Sequence, residues 1–129
     1  MCPNPTCGGR TVAFDVPTAL SDHAPGGGAR AAICAVCLRT HPDVDAEDAD
    51  LSALHPAFPS GEAGAALALA LGRLDSLALR RDAIDDCCSY AERAGADVLL
   101  TLDRLAGAAG VDPHFDIERR RHQLAEMLR

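Results

Sequence analysis

Two close pairs of cysteines constrain the fold of this chain more than any other feature of its sequence. Cys2 and Cys7 form a C-x4-C pair, and Cys34 and Cys37 form a C-x2-C pair. A hairpin that brings two such pairs together places four thiolates around one point, which is the ligand set of a structural Zn²⁺ site. The spacing therefore predicts one structural Zn²⁺ bound by Cys2, Cys7, Cys34 and Cys37.

Two alternatives to this ligand set remain open. His41 follows the second pair as C-x2-C-x3-H, so it could replace Cys2 as the fourth ligand if the chain end frayed. The four cysteines could instead be free buried thiols. Disulfides are not favoured, because the N-terminus lacks the basic and apolar stretches of an export signal. The expected compartment is the cytoplasm.

The residues between the two pairs show the alternation of β-strands. Val12, Phe14 and Val16 alternate with smaller or polar residues, and Pro17 ends the pattern. The loop that follows finishes in three glycines, which are too flexible for a strand. The pattern predicts strands over residues 11–16, 29–33 and 38–40, and a loop over 18–28.

Residues 1–41 resemble a zinc ribbon, a module of archaeal and eukaryotic transcription and translation proteins. The resemblance implies a small β module built around the metal. The x4 spacing of the first cysteine pair departs from the usual x2 spacing of these modules. So short a module needs the metal to fold, because domains below about 40 residues rarely bury enough apolar surface.

Residues 42–59 are predicted to be an acidic linker. The segment superficially resembles a calcium loop, but Asp48 stands where glycine is required and Leu54 where the bidentate glutamate should be. Three apolar residues in its second half are expected to hold it against the helices: Leu51, Leu54 and Phe58. Its acidic residues are Asp43, Asp45, Glu47, Asp48 and Asp50.

Apolar residues recur every three or four positions over residues 60–129, which predicts an antiparallel bundle of about four helices. Ser60 caps the first helix, whose apolar stripe runs from Leu67 to Ala78 and is widened by Leu69 and Leu79. The second helix runs over about 81–94 and ends at a glycine. Its predicted inward residues are Ile84, Cys87, Cys88 and Ala91.

The last two helices have their own start signals. Asp97 caps the third helix, and Asp112 followed by Pro113 opens the fourth. The predicted core residues of the two helices are Val98, Leu99, Leu102, Leu105, Ala106, Phe115, Ile117, Leu124, Met127 and Leu128. The expected fold class is α+β: a zinc-ribbon-like β module, an acidic linker and a helical bundle.

The charge composition argues against nucleic acid as a partner. The formal net charge is −7, and all 12 basic residues are arginine. Nucleic-acid affinity depends largely on neutralising phosphates, which an acidic surface does poorly. The absence of lysine and the excess of Asp over Glu fit a halophilic cytoplasm or a GC-rich genome. No stretch approaches the roughly 20 apolar residues of a membrane span.

Most of the chain resembles a family of haloarchaeal proteins described as a domain of unknown function. The matching parts are the two cysteine pairs, the G-E-A-G-A-A-L-A-L-A segment at residues 61–70 and the D-P-H-F-D segment at residues 112–116. The resemblance implies a halophilic, cytoplasmic origin, an N-terminal zinc-ribbon-like module and a C-terminal helical bundle. It implies no activity.

No group of residues in the helical region predicts catalysis. Cys87 and Cys88 are adjacent on a helix, so their side chains diverge by about 100° and are expected to be buried. Asp85 and Asp86 diverge for the same reason, and residues 119–121 form three adjacent arginines expected to be solvated. His114 and His122 are expected on one helix face, two turns apart.

These observations favour a non-enzymatic zinc-binding protein that acts as a protein-interaction adaptor. The alternative is a zinc-ribbon protein that binds nucleic acid or takes part in transcription. An enzyme with its site in the bundle is a third hypothesis. No catalytic residue and no cofactor other than Zn²⁺ is predicted.

Overall fold

The residues between the two cysteine pairs fold as an antiparallel hairpin with a third strand beside it. The computed structural model describes residues 1–43 and 46–128. Thr11 pairs with Cys34, so the start of the first strand lies beside the end of the second. The strands are β1 (Thr11–Asp15), β2 (Arg30–Cys34) and β3 (Thr40–Pro42), in the order β1-β2-β3.

The third strand begins two residues later than predicted. Leu38, where it was expected to start, has a φ of 64° and belongs to the turn after the second cysteine pair. β3 therefore begins at Thr40, which pairs with Ile33. The segment predicted as a loop contains two short 3-10 turns, Thr18–His23 and Pro25–Gly27.

The β1 edge of the sheet is paired with another segment of the chain. The Ala13 amide donates a hydrogen bond to the Asp48 carbonyl oxygen (2.8 Å), and the Asp48 amide donates to the Thr11 carbonyl oxygen (3.1 Å). Part of the predicted linker therefore covers the β1 edge. Its three apolar residues, Leu51, Leu54 and Phe58, are buried as predicted. Asp45 of this segment lies outside the described residues.

Four helices follow, and the predicted α+β class is confirmed. α1 packs mainly against α2, and α3 mainly against α4. No helix in the described ranges is both long and apolar enough to cross a bilayer. Residue 129, the end of the predicted bundle, lies outside the described residues. The helices are α1 (Gly61–Leu71), α2 (Arg81–Arg93), α3 (Val98–Ala106) and α4 (Ile117–Met127).

The central position predicted for α1 is confirmed, but its predicted length is wrong. Every residue of α1 from Ala63 onward is buried, as expected of a helix covered on several sides. The helix ends at Leu71 instead of continuing to Ala78, because Gly72, a poor helix former, follows as its C-cap. Gly72 also packs against the Thr40 side chain, where a larger residue would overlap. Leu79, expected on this helix, is 87% exposed.

The start of the fourth helix also differs from the prediction. α4 begins at Ile117, and Asp116 caps it by accepting a hydrogen bond from the Arg119 amide (3.1 Å). His114 therefore lies in the segment before the helix. The prediction that His114 and His122 share a helix face is wrong. Phe115 is buried as predicted, although it precedes the helix.

The other two helices agree more closely with the sequence pattern. All four predicted inward residues of α2 are buried. Asp97 caps α3 as predicted, with its Oδ1 atom 3.0 Å from the Leu100 amide. On α3, Val98, Leu102 and Leu105 are buried, but Ala106 is exposed because it lies at the last turn.

One hydrophobic cluster contains residues of the sheet, the linker and the helices. Val12 and Ile33 of the sheet belong to the same cluster as Leu69 of α1 and Leu124 of α4. The division into a module (1–41), a linker (42–59) and a bundle (60–129) stays a prediction. The shared cluster implies that the sheet and the helices stabilise one another.

Gly64 offers a test of how tightly the linker packs on α1. Alanine is normally favoured over glycine inside a helix by up to about 1 kcal/mol. Here a Cβ atom would overlap the Pro59 carbonyl oxygen and lie 2.8 Å from Leu51 Cδ1. We expect Gly64→Ala to lower the free energy of unfolding by about 1–3 kcal/mol in denaturant titration.

Gly107→Ala is the matched control for Gly64→Ala. A Cβ atom there meets nothing closer than the Arg104 carbonyl oxygen at 4.0 Å. This variant should change the free energy of unfolding by less than about 1 kcal/mol. Equal effects of the two substitutions would contradict the packing described for Gly64.

Candidate metal centre

The four N-terminal cysteines meet at one point, and their sulfur atoms all lie within 4.8 Å of one another. Cys2 Sγ is 3.8 Å from Cys37 Sγ, and Cys7 Sγ is 3.6 Å from Cys34 Sγ. All four thiols are free. These separations are far longer than a disulfide bond of about 2 Å. The group could therefore hold a metal ion.

The sheet positions the second cysteine pair. Cys34 is the last residue of β2, and its amide donates a hydrogen bond to the Arg39 carbonyl oxygen (2.9 Å). The Val36 and Cys37 amides both point at Cys34 Sγ, at 3.4 and 3.5 Å. Amides that donate to a thiolate spread its negative charge, which favours metal binding.

The first cysteine pair is held by a turn of its own. The Cys7 amide donates to the Asn4 carbonyl oxygen (3.0 Å), and the Cys2 amide donates to the Gly9 carbonyl oxygen (2.7 Å). Gly8, directly after the pair, has a φ of 67°.

The residue after each cysteine pair has the same left-handed backbone conformation. In the first pair this residue is Gly8, and in the second it is Leu38, with a φ of 64°. The left-handed region costs about 1–2 kcal/mol for a residue with a side chain. Leu38 is 0% exposed, and burying a leucine stabilises by about 1.5–3 kcal/mol. Core packing therefore holds this turn in place.

Burial and hydrogen bonds shift the pKa values of Cys2, Cys7 and Cys34. Cys2, Cys34 and Cys37 are buried, whereas Cys7 is partly exposed. Burial raises the pKa of Cys34 to about 12 and also raises the pKa of Cys2. Burial opposes ionisation of Cys7 too, but hydrogen bonds from the Gly9 backbone and the neighbouring thiols lower its pKa. A divalent cation would stabilise the thiolate form of all four.

His41 lies beside the cluster. Its Nε2 atom is 3.7 Å from Cys2 Sγ, but it is not one of the four residues whose ligand atoms all lie within 4.8 Å of one another. Burial lowers the pKa of His41, and the charges of Arg39 and His114 lower it further. A neutral imidazole at this distance suits a hydrogen bond to the Cys2 thiolate. Replacement of Cys2 by His41 stays an alternative to the predicted four-cysteine set.

The segment before α4 contacts the four-cysteine cluster directly. The Asp112 amide donates a hydrogen bond to the Val36 carbonyl oxygen (2.8 Å). The His114 amide and its Nδ1 atom both lie within hydrogen-bond distance of the Cys37 carbonyl oxygen, at 2.9 and 2.8 Å. Three hydrogen bonds thus join this segment to the turn that carries Cys34 and Cys37.

Sequence reasoning missed this role of the segment, because it assigned Asp112 and His114 to a helix. The His114 side chain is 2% exposed, and its Nε2 atom is 3.7 Å from Asp75 Oδ1. The His114 ring thus lies between the turn that carries Cys37 and the Asp75 carboxylate. Pro113, which was read as a helix start, was the available signal for an ordered turn.

The other candidate residues do not converge on a site. Burial raises the pKa of Cys87 and of Cys88 to about 12, in agreement with their predicted burial in α2. Arg121 pairs with Asp103, and Arg120 donates to Gln123 and to the Asp75 carbonyl oxygen. Among the residues the structure describes, the four N-terminal cysteines are the one group suited to a metal ion.

Comparison with known proteins gives one match. The sequence profile of DUF6276, a family of unknown function, matches residues 1–128. The chain belongs to this family. No curated protein and no solved structure matches it. The matched range includes both cysteine pairs and the segment before α4, so the metal centre lies wholly within the DUF6276 region.

Gly9 provides a test of the centre's packing in this DUF6276 protein. A Cβ atom at Gly9 would lie 2.7 Å from Cys34 Sγ and 2.8 Å from Val36 Cγ2. Gly9→Ala should therefore displace a ligand sulfur. We expect metal affinity to fall about 10- to 100-fold, measured by competition with a zinc chelator.

Gly28→Ala is the control in the same half of the chain. Its Cβ atom would meet the Arg30 carbonyl oxygen at 3.5 Å, an ordinary contact, and its φ is −81°. This variant should keep the wild-type metal affinity. A Gly9→Ala protein that binds metal as tightly as Gly28→Ala would show that Cys34 is not a ligand in this geometry.

Proposed function

We propose that this protein is a non-enzymatic zinc-binding adaptor. One structural Zn²⁺ bound by Cys2, Cys7, Cys34 and Cys37 holds the N-terminal turns together, and the surface beside them contacts a protein partner. The observation that carries the proposal is the spacing of the four free sulfur atoms. We place the protein in the cytoplasm, where thiols stay reduced and available to a metal.

The spacing of the sulfur atoms fits Zn²⁺ closely. A Zn–S bond of about 2.3 Å in a regular tetrahedron sets neighbouring sulfurs about 3.8 Å apart. The two closest pairs are 3.8 and 3.6 Å apart. Because no two of the sulfurs are more than 4.8 Å apart, the site has room for one ion.

The ligand set supports a structural role. Four thiolates complete the shell of Zn²⁺, whereas hydrolytic zinc sites keep one position open for water. Three of the four thiols are buried, which limits access by a substrate. An enzyme activity that depends on zinc, and that is lost when Cys34 is replaced without unfolding the protein, would contradict this role.

The proposed partner surface lies where the glycine-rich turn, Pro25–Gly27, meets the helices. Pro25 lies with Arg73, Asp75, Ser76 and Arg80 around a polar cavity of about 290 Å³. Arg73 donates hydrogen bonds to the carbonyl oxygens of Leu69 and His23, so it is held in place. Arg80 is exposed. The two arginines outnumber the single carboxylate of Asp75 in this lining, which favours a partner that presents carboxylates.

The nucleic-acid alternative has less support. Three arginines precede residue 42, and two of them are in ion pairs: Arg10 with Asp48, and Arg30 with Asp15 and Asp43. Paired arginines contribute little to phosphate neutralisation. Binding of nucleic acid that weakens steeply with salt would favour this alternative over the adaptor.

Metal analysis tests the zinc proposal. The purified protein should contain about one Zn²⁺ per chain, and the double variant Cys34→Ser, Cys37→Ser should lose it, because two ligands cannot hold the ion. Elemental analysis after gel filtration gives the stoichiometry. Iron in the same ligands would be recognised by its visible absorption.

The control for the loss of thiols is the double variant Cys87→Ala, Cys88→Ala. These cysteines are buried in α2 and lie outside the group of four. This variant should retain its zinc. Stoichiometric zinc in the Cys34→Ser, Cys37→Ser protein would refute the assigned ligand set.

Affinity capture tests the adaptor role. Zinc-loaded protein should retain a partner from a native extract, and Arg80→Glu should weaken this retention because it reverses a charge at the proposed surface. Arg104→Glu, at an exposed position on α3, is the matched control. Equal retention by both variants would contradict the assigned surface.

A further inference from the structure

Cys7 differs from the other three cysteines in its exposure. Cys2 and Cys37 are each 4% exposed and Cys34 is 0% exposed, whereas Cys7 is partly open to solvent. We propose that Cys7 is an oxidation site: its thiolate attacks hydrogen peroxide, a Cys7–Cys34 disulfide forms, and the Zn²⁺ is released. The inference rests on the proposed zinc site and adds a means of regulating it.

A polar cavity beside the metal centre gives peroxide access to Cys7. The cavity has a volume of about 350 Å³ and is lined by Asn4, Thr6, Cys7, Cys37, Arg39 and Asp112. A water molecule occupies about 30 Å³ of liquid volume, and hydrogen peroxide is only slightly larger. The cavity therefore admits the oxidant. Because Cys37 is almost fully buried, Cys7 is the accessible thiolate on the cavity wall.

Arg39 supplies a cation to the same cavity. Arg10 and Arg30 are both in ion pairs, but no carboxylate among the described residues lies within ion-pair distance of Arg39. When a thiolate attacks peroxide, negative charge develops on the departing oxygen. A guanidinium that donates hydrogen bonds to this oxygen stabilises the charge and speeds the step.

Cys34 is the cysteine placed to complete the disulfide. Its sulfur is 3.6 Å from Cys7 Sγ, the shorter of the two close sulfur separations. Cys34 is fully buried, so peroxide reaches Cys7 first. In the other close pair, Cys2 with Cys37, both partners are buried, which makes it the slower pair to oxidise.

The reaction balances with one peroxide for each disulfide. The Cys7 thiolate attacks one oxygen of hydrogen peroxide, so an S–O bond forms as the O–O bond breaks, and the departing hydroxide takes a proton to become water. The Cys34 thiolate then attacks the sulfenic acid sulfur, the S–S bond forms, and a second hydroxide leaves. The two sulfurs lose two electrons and the peroxide gains them. Zn²⁺ dissociates because only two thiolates remain.

The test uses the zinc-loaded, full-length protein and limiting hydrogen peroxide at neutral pH. A colorimetric chelator follows zinc release, and mass spectrometry maps the disulfide after alkylation of the remaining thiols. We expect about one Zn²⁺ released per peroxide consumed and a Cys7–Cys34 disulfide as the first product. A first disulfide between Cys2 and Cys37, or a centre that resists excess peroxide, would overturn the inference.

Arg39→Gln tests the role of the cavity without removing a ligand. It should keep the zinc content but release zinc on the order of tenfold more slowly, because a hydrogen bond to developing charge is lost. Arg10→Gln, whose arginine pairs with Asp48 away from the cavity lining, should react at the wild-type rate. Equal rates for the two variants would refute the assigned role of Arg39.

The experiment separates this inference from the zinc proposal. Protein that is purified without zinc and cannot be loaded with it would contradict both. Protein that carries one Zn²⁺ but resists peroxide, or forms a different disulfide first, would contradict the oxidation site alone.

Discussion

Four sulfur atoms cannot stay this close together in a buried site as thiolates unless a cation offsets their charge. This constraint explains much of the N-terminal structure. The β1–β2 hairpin sets Thr11 opposite Cys34, the amides of Val36 and Cys37 point at a sulfur, and Gly9 leaves the space that Cys34 Sγ needs. The proposed Zn²⁺ makes these separate features parts of one site.

The four-cysteine cluster is also joined to the helical part of the chain. The segment before α4 donates hydrogen bonds to the carbonyl oxygens of Val36 and Cys37, and His114 reaches from this turn towards Asp75, in the connection between α1 and α2. Leu38 anchors the same turn in the core. Loss of the metal should therefore destabilise the helical packing as well as the sheet. In this way, zinc release after oxidation of Cys7 would change the proposed partner surface near Arg80.

The sequence was sufficient for the features that have a local signal. Cysteine spacing located the cluster, the alternation of Val12 and Phe14 located β1, and Asp97 marked the start of α3. Each cysteine pair, the strand alternation and the helix cap can be recognised from neighbours within a few residues. The α+β class follows from the same local patterns.

Long-range packing decided what the sequence could not show. Gly72, directly after α1, packs against Thr40, a residue far away in the chain. Leu38 adopts a left-handed conformation that its residue type disfavours, because core burial compensates for the cost. His114 lies at the metal centre because its segment bonds to the Cys37 turn, although Asp112 and Pro113 together resembled a helix start. None of these contacts produces a periodic pattern in the sequence.

X-ray absorption at the zinc edge is the most direct measurement of the proposed centre. Purified protein should show four sulfur scatterers at about 2.3 Å and no nitrogen or oxygen in the first shell, as expected for Cys2, Cys7, Cys34 and Cys37 around one ion. A nitrogen scatterer at about 2.0 Å would indicate that His41 replaces a cysteine. An oxygen from water in the first shell would show an open coordination position, which would contradict the structural role assigned to the metal.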